Sequence, residues 1–443
     1  MTAAPPILRR VLANTGVLVG GRTANALISL AYLALAARAL GVADVGALLL
    51  INAFAQLVGD VVKFNAWQTV LQYGAGPLAA GDRAGFHQVL RFTLFLDIAS
   101  SLAGAAVAIC LALLIGERLG WDMNRNGPAA LYCLSILVMT PSTPIGLLRL
   151  FDRFDLIAAQ APVGSTLRLA GCGLAFLTGA SLPAFLAIWA AGTVAAFAYL
   201  ATAAHAEMRK RGLTHGFRWL GPLSAGLPGA WKFAWATNLG STLEVAFTHA
   251  LTLAVGAIAG PAPAALWRVG RQVADAVAKP ARLLIPALYP ELARLRATDG
   301  EKAMRRLASQ VGLVGGGVGA VLLLATVAGR PLLTLVMGPD FAPAAGIMVW
   351  QMAAAAVGIC ALPLEPMLIS LGRPGDVVKV RIVVGLALLA ALPWAIGTFG
   401  LTGAGAALLA AMLALAAGMY TMLQLGSHKA ACTNVPVRAK DGE

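Results

Sequence analysis

The stretch Leu266-Trp-Arg-Val-Gly-Arg-Gln-Val-Ala-Asp-Ala-Val-Ala-Lys-Pro-Ala-Arg-Leu-Leu-Ile-Pro-Ala-Leu-Tyr-Pro290 decides the fold. It is long enough to cross a bilayer, yet it carries Arg268, Arg271, Asp275, Lys279 and Arg282. On a helix turning about 100° per residue, these five positions fall within roughly 80° of one another and form a charged stripe about 21 Å long. A single Arg or Lys facing acyl chains at the bilayer centre costs at least ~2.5–3.5 kcal/mol, so the whole stripe would cost roughly 10 kcal/mol or more there. It must face water, a partner helix or an anionic ligand. With one Asp for four cations the charges cannot all pair internally, and the stripe reads as a cationic cavity wall. Pro280 and Pro286 are expected to bend the helix.

Outward from this segment the chain is apolar almost throughout. Of its 443 residues 59% are hydrophobic and 12% charged, and the mean hydropathy is +0.80. That excludes a soluble domain and implies an all-α, polytopic integral membrane protein. Apolar windows near 20 residues or longer recur at 11–37, 43–72, 88–116, 128–150, 155–179, 182–206, 230–259, 264–290, 304–328, 342–371, 376–398 and 401–425, which predicts twelve spans.

The net charge of +14 would suggest nucleic acid in a soluble protein, but its placement follows the positive-inside rule. With both termini in the cytoplasm, most cations fall inside, including Arg83, Arg91, Arg149, Arg153, Arg209-Lys-Arg211 and Arg373. Arg38, Arg118, Arg125 and Arg330 fall outside. Residues 1–37 have a basic start, an apolar run and an Ala-x-Ala at 34–36, but Asn14, Arg22 and Asn25 interrupt the run, so it reads as an uncleaved first helix. The five cysteines show no metal spacing and no disulfide pattern. No Walker motif or nucleophile elbow is present, and the predicted outer loops are too short for a catalytic domain. Neither an enzyme nor a cofactor is expected.

Three further helices carry polar faces. The first groups Asn14, Thr15, Arg22, Asn25, Ser29 and Tyr32, and the second groups Asn52, Gln56, Asp60 and Lys63. Asp60 and Lys63, three apart, are placed to pair. The seventh groups Asn238, Ser241, Thr242, His249 and Thr252, with Glu244 off that face; His249 reads either as a hydrogen-bonded bundle histidine or as a proton carrier. Asp97, Arg168 and Glu365 are further intramembrane charges, and Glu365, between Pro363 and Pro366, is the best placed of them as an ion site. Gly312-Leu-Val-Gly-Gly-Gly-Val-Gly319 lies inside an apolar span and reads as close helix packing, not as a phosphate loop.

A shift of 219 residues brings Asn52, Gln56, Asp60 and Lys63 onto Arg271, Asp275, Lys279 and Arg282. It also aligns Gly41 with Gly260, Gly81-Asp-Arg83 with Gly300-Glu-Lys302, and Pro144 with Pro363. This predicts two six-helix halves in parallel topology. The expected division is an N-terminal half at 1–206, a cytoplasmic linker at 207–229, a C-terminal half at 230–425 and a cytoplasmic tail at 426–443. The basic run of the linker reads as an anchor against anionic lipid.

Twelve spans, two parallel halves and charged faces on the first, second, seventh and eighth helices resemble the multidrug/oligosaccharidyl-lipid/polysaccharide exporter superfamily, most closely its Wzx-type polysaccharide flippases. Arg38-Ala-Leu-Gly41 followed by Gly46, Leu284-Ile-Pro-Ala-Leu-Tyr-Pro-Glu291, Gly338-Pro-Asp-Phe341 and Gly372-Arg373 are similar to the family's wording. Pro261 with Pro263 departs from it and leaves the outer end of the eighth helix open. The resemblance implies a bacterial inner-membrane flippase that moves an undecaprenyl-pyrophosphate-linked oligosaccharide to the outer leaflet by alternating access, for surface or exopolysaccharide synthesis. Membrane lipids and a glycan polymerase complex would be its partners.

Such a substrate needs a hydrated cationic path, for which Arg22, Lys63, Arg268, Arg271, Lys279 and Arg282 are the binding candidates. Asp60, Glu244, Asp275 and Glu365 are candidates for ion coupling. A MATE-type multidrug exporter, a membrane glycan polymerase or ligase, and a scramblase or scaffold are the alternatives. Cationic drugs would favour an acidic cavity, and a polymerase would need a long outer loop.

Overall fold

The computed structural model describes residues 6–64, 66–139, 142–219, 221–223, 226–282, 300–371 and 373–433, and its regular elements there are all helices. Side chains at 6–24, 236–237, 239–248, 276–282, 300–305, 426–433 and a few single positions lie outside the description.

The first long helix, α1 (Pro6–Val62), is broken at Gly41, whose φ of 74° and ψ of 174° are open to a residue without a β-carbon. Next come α2 (Ala66–Ala80), α3 (Arg83–Ile115) and the short run α4 (Asn126–Cys133), α5 (Ile136–Met139) and α6 (Ser142–Leu150). They are followed by α7 (Phe154–Thr178), α8 (Leu182–Lys210), α9 (Ala230–Ala259) and α10 (Pro261–Arg282). After 283–299 the chain resumes with α11 (Gly300–Ala325), α12 (Gly329–Met337), α13 (Ala344–Cys360), α14 (Leu364–Ser370) and α15 (Pro374–Thr433), the last broken at Gly400.

The predicted windows fall mostly on helix where they are described, with breaks at 63–64, 134–135 and 361–363. By length and hydropathy alone, five of the described stretches can cross a membrane, and the bent pair Met123–Cys133 with Ile136–Leu150 makes a sixth. The difference from twelve has physical causes. Of the five, Asn25–Ala80 holds both limbs of α1, joined at Gly41, together with α2, and Gly375–Leu425 holds two helices joined at Gly400. α10 is too charged to pass such a test on its own.

The 219-residue repeat has a backbone counterpart. Gly260, between α9 and α10, has φ 92° and ψ 178°, nearly the conformation of Gly41. Pro261 and Pro263 then occupy the first turn of α10, where amide N–H groups have no intrahelical partner and proline costs nothing. The departure from the family pattern is thus a helix start.

The chain divides into two compact units, Met1–Arg268 with Thr334–Phe341, and Val269–Leu333 with Ala342–Glu443. In the first, the second limb of α1 is buried nearly all round: Val45, Leu48, Leu50, Ile51, Phe54 and Ala55 have almost no exposed surface. α1 as a whole packs against α3, α7 and α9. Lipid chains are as apolar as leucine, so close backbone approach sets this packing more than burial does. Gly164 lies against the Gly192 carbonyl, which joins α7 to α8.

The linker is tied to the same unit. Arg91 Nε donates to the Arg218 carbonyl at 2.9 Å, Tyr73 Oη to the Pro228 carbonyl at 3.0 Å, and a His87 ring nitrogen lies 2.7 Å from the Leu213 carbonyl. Leu227 and Ala230 join Val89, Phe92 and Leu96 in one apolar cluster.

The second unit is built on small residues as the sequence predicts. A β-carbon at Gly315 or Gly319 of α11 would come within 2.9 Å of the Ile359 carbonyl or the Ala356 methyl of α13. Met367 and Leu368 of α14 pack with Val377, Val380, Met419 and Leu423 of α15.

Candidate functional site

α10 is where the stripe lies, and its sequence explains its course. Apolar Ala264, Ala265, Trp267, Val269 and Ala274 are buried, while Arg268, Arg271 and Asp275 occupy a less buried face. Arg271 Nε lies 3.4 Å from Asp275 Oδ1, one turn on, with both side chains about a fifth exposed. Among the described side chains of the stripe, its single acid engages Arg271. Arg268 also has an interaction partner. The side chains of Lys279 and Arg282 lie outside the described residues, as do those of Arg22 and Glu244.

A second polar cluster forms inside the first unit. Asp60 of α1 receives Lys63 Nζ at 2.5 Å on one carboxylate oxygen. Its other oxygen faces His249 Nε2 of α9 at 3.5 Å. The i, i+3 pairing expected from the sequence is present; the tertiary contact with His249 is not visible in any local pattern. Higher on the same face of α1, Asn52 is buried and accepts a hydrogen bond from Tyr132 Oη at 2.7 Å. The first helix meets α7 through Asn25, whose side-chain oxygen accepts from Ser165 Oγ at 2.5 Å.

The remaining intramembrane charges have structural partners. Asp97 of α3 accepts from the Thr143 backbone N–H at 2.7 Å and so caps the first turn of α6. Ser142 Oγ in turn accepts from the Trp67 N–H at 3.0 Å, at the start of α2. Arg168 donates to Thr193 Oγ1 at 2.8 Å and to the Trp189 carbonyl at 3.2 Å. Glu365 meets Arg381 at 3.0 Å, both about a third exposed. Among the described residues no group of His, Cys, Asp or Glu is placed to hold a metal ion.

The basic run of the linker is only partly turned outward. Glu207, 4% exposed, receives Lys210 Nζ at 2.9 Å and also Arg211 and Arg153. Arg153 further grips Asp155 through two bonds of 2.9 and 2.7 Å, and the Asp155 and Glu207 carboxylates hold its guanidinium above the usual arginine range. The spacing of Glu207, Lys210 and Arg211 was available in the sequence as an i, i+3, i+4 set. In the second unit Arg373 repeats the gesture. It binds Asp376 in the first turn of α15 at 2.6 Å, and its other arm reaches the Met422 carbonyl at 2.7 Å.

Kinked double helices and charged faces on otherwise apolar segments define a multi-pass membrane protein, and comparison with solved structures identifies the architecture. The fold is similar to that of an inward-facing multidrug resistance MATE family transporter of the MOP superfamily, with a TM-score of 0.72 at 13% identity over 93% of this chain and 95% of that one. It is similar also to the lipid II flippase MurJ in an inward closed conformation, with a TM-score of 0.70 at 10% identity over 92% and 87% of the two chains. The chain thus shares the fold of these two proteins. No family model matches it. The inner membrane protein YghQ of Escherichia coli (strain K12) is 32% identical over 335 residues, which are 75% of this chain and 94% of YghQ. The chain belongs to the family of inner membrane proteins that includes YghQ.

Proposed function

We propose that this protein is a flippase that carries a polyprenyl-pyrophosphate-linked oligosaccharide from the cytoplasmic to the outer leaflet, for surface or exopolysaccharide synthesis. The observation that carries the reading is the charged face of α10, where Arg271 is matched by Asp275 and the other cations of the stripe outnumber the acid. A pyrophosphate crossing hydrocarbon needs donors that stay ionised and present several N–H groups at once, which is what guanidinium supplies. Arg268, Arg271, Lys279 and Arg282 are the principal contacts, with Arg22 and Lys63 contributing from the first two spans. The prenyl tail stays in lipid, and alternating access exposes the stripe to each leaflet in turn. A membrane potential that is negative inside favours outward movement of an anion by about 2.3 kcal/mol per charge per 100 mV. The fold shared with the lipid II flippase MurJ supports the same class of cargo.

The fold shared with MATE transporters favours a second reading, export of cationic drugs. The excess of cations on α10 speaks against it. The experiment replaces Arg268, Arg271, Lys279 and Arg282 singly with Cys in a cysteine-free background and measures labelling by a membrane-impermeant thiol reagent. Protection by polyprenyl-pyrophosphate oligosaccharide is the expected result. Protection by a cationic drug alone would select the second reading, and uniform inaccessibility in folded protein would overturn both.

A further inference from the structure

A cationic surface lies where the linker meets α3 and the start of α9. Between Glu207 and Glu244 the chain has no Asp or Glu, while Arg209, Lys210, Arg211, Arg218 and Lys232 fall within that stretch. Packing divides these cations. Lys210 and Arg211 are held by Glu207, so the run at 209–211, which the sequence alone gives to anionic lipid, has spent two of its three charges. Arg218 and Lys232 are exposed, and among the described residues neither side chain has an acid or an acceptor for a partner.

α3 fixes the place of both. Arg91 holds the carbonyls of Arg218 and Pro222, which sets Arg218 and Trp219 beside it. Just beyond on α3, Phe92 and Phe95 pack edge-to-face with Trp231, the ring centroids 5.0 and 6.4 Å apart, and Lys232 follows Trp231 in α9. Trp219 packs likewise on Phe217 at 5.4 Å, and Trp235, one turn beyond Trp231, on Phe64 at 4.8 Å. These contacts order the three indoles without covering them. They remain 65% (Trp219), 40% (Trp231) and 62% (Trp235) exposed, and no described residue accepts from their N–H groups. Indoles so placed suit a membrane–water boundary, with the ring against the upper acyl region and the N–H among headgroups. Phe95, Ile98 and Leu102 mark that boundary: they form an exposed apolar stripe on α3 that acyl chains would cover in a bilayer, and Arg91 precedes it by one turn. The surface changes from hydrocarbon to cation at the level of Trp231.

We propose that Arg218 and Lys232, flanked by Trp219, Trp231 and Trp235, form a docking site for anionic phospholipid of the leaflet on this side, the cytoplasmic one by the positive-inside rule. The two cations take the headgroup phosphate, and the indoles take the glycerol and upper acyl region. Charge selects this occupant, because a zwitterionic headgroup brings a cation of its own and the patch has no acid to receive it. A lipid seated there pins the linker and the first turn of α9 to α3. The site does not depend on the cargo and does not rest on the flippase reading.

The test uses the full chain in detergent, titrated with phosphatidylglycerol or phosphatidylcholine carrying a fluorescent acyl label. Phosphatidylglycerol is expected to bind more tightly. Arg218→Gln and Lys232→Gln should each weaken it by about fivefold, the effect of one basic residue at an anionic surface, and leave phosphatidylcholine unchanged. Arg218→Lys, which keeps the charge, should restore most of the affinity, and Trp231→Ala should weaken both lipids alike. Arg209→Gln, which removes an exposed cation outside the patch, should be neutral. Bound phosphatidylglycerol should also slow trypsin cleavage after Arg218 several-fold. Equal affinity for the two lipids, a loss in Arg209→Gln as large as in Arg218→Gln, or cleavage after Arg218 unchanged by phosphatidylglycerol would overturn the site. Inorganic phosphate that displaces the lipid at equal concentration would overturn the lipid assignment and make the ligand a soluble anion.

Discussion

The carbonyl of Pro261 stands where Gly46 would carry its side chain: an ideal β-carbon there would lie 1.9 Å from that oxygen. The α9–α10 junction is thus seated directly on the backbone of α1, five residues after its break at Gly41. Any larger residue must push the junction away. Gly46→Ala is expected to lower stability by about 1–3 kcal/mol, the usual cost of overpacking, and Gly46→Val by more. Thermal unfolding of the detergent-solubilised protein, followed by size-exclusion chromatography, checks this. Gly76→Ala is the control; with open space around it in α2, it should be neutral or stabilising by a few tenths up to about 1 kcal/mol.

Asp97 has a structural task that distinguishes amide from methyl. Asn keeps an oxygen able to accept from the Thr143 N–H, whereas Ala leaves that donor orphaned. Asp97→Ala should cost about 1–2 kcal/mol and Asp97→Asn much less, read by the same unfolding measurement. Equal losses in both would show that the charge, not the cap, is what α6 requires.

On α10 the pairing of Arg271 with Asp275 makes the two substitutions act in opposite directions. Arg271→Ala should weaken binding of polyprenyl pyrophosphate about tenfold or more. Asp275→Asn frees the guanidinium and should tighten binding by a few-fold. Calorimetric titration of the nanodisc-embedded protein measures both. A loss of binding in Asp275→Asn would instead make that carboxylate a participant in the site.

Glu365 and Arg381 offer a test of whether an intramembrane acid is an ion site or half of a structural pair. Because the pair is about one-third exposed, a double-mutant cycle with Glu365→Gln and Arg381→Gln should give a coupling of roughly 0.2–1 kcal/mol. Transport should survive the charge exchange Glu365→Arg with Arg381→Glu. Transport abolished by Glu365→Gln, with folding intact, would restore the ion-site reading.

Much of the fold was legible because membrane crossing imposes long apolar windows, and because special backbone positions are marked by Gly and Pro. The numerical shift matches Gly41 with Gly260, which share nearly the same dihedrals, and within the glycine run at 312–319 Gly315 and Gly319 are the close-packing positions. The stripe on α10 was legible for the same reason: charges in an apolar helix need an explanation, and the helical period groups them. Contacts between distant segments were not legible. Asp97 and Thr143, Asp60 and His249, or Arg125 and Asp44, which pair at 2.7 Å, are brought together only by packing, and nothing near either residue names the other. Glu207 lies between these cases. Its two helical partners are spelled out locally, but Arg153 arrives from another turn of the chain.

The one-residue breaks at Gly41 and Gly260 also decide what that end of the first unit offers to the outside. Two long helices joined by a single residue have no slack: they can swing about the joint like the arms of a compass, but neither can slide along the other. Nor is there a strand of loose chain for a protease to thread or an antibody to grasp at either point. Among the described junctions at that end, the turns between Gly116 and Arg125 are the longest, with Glu117, Arg118, Asp122, Met123 and Asn124 exposed. An epitope tag meant to report on the protein from that side would have to be placed there.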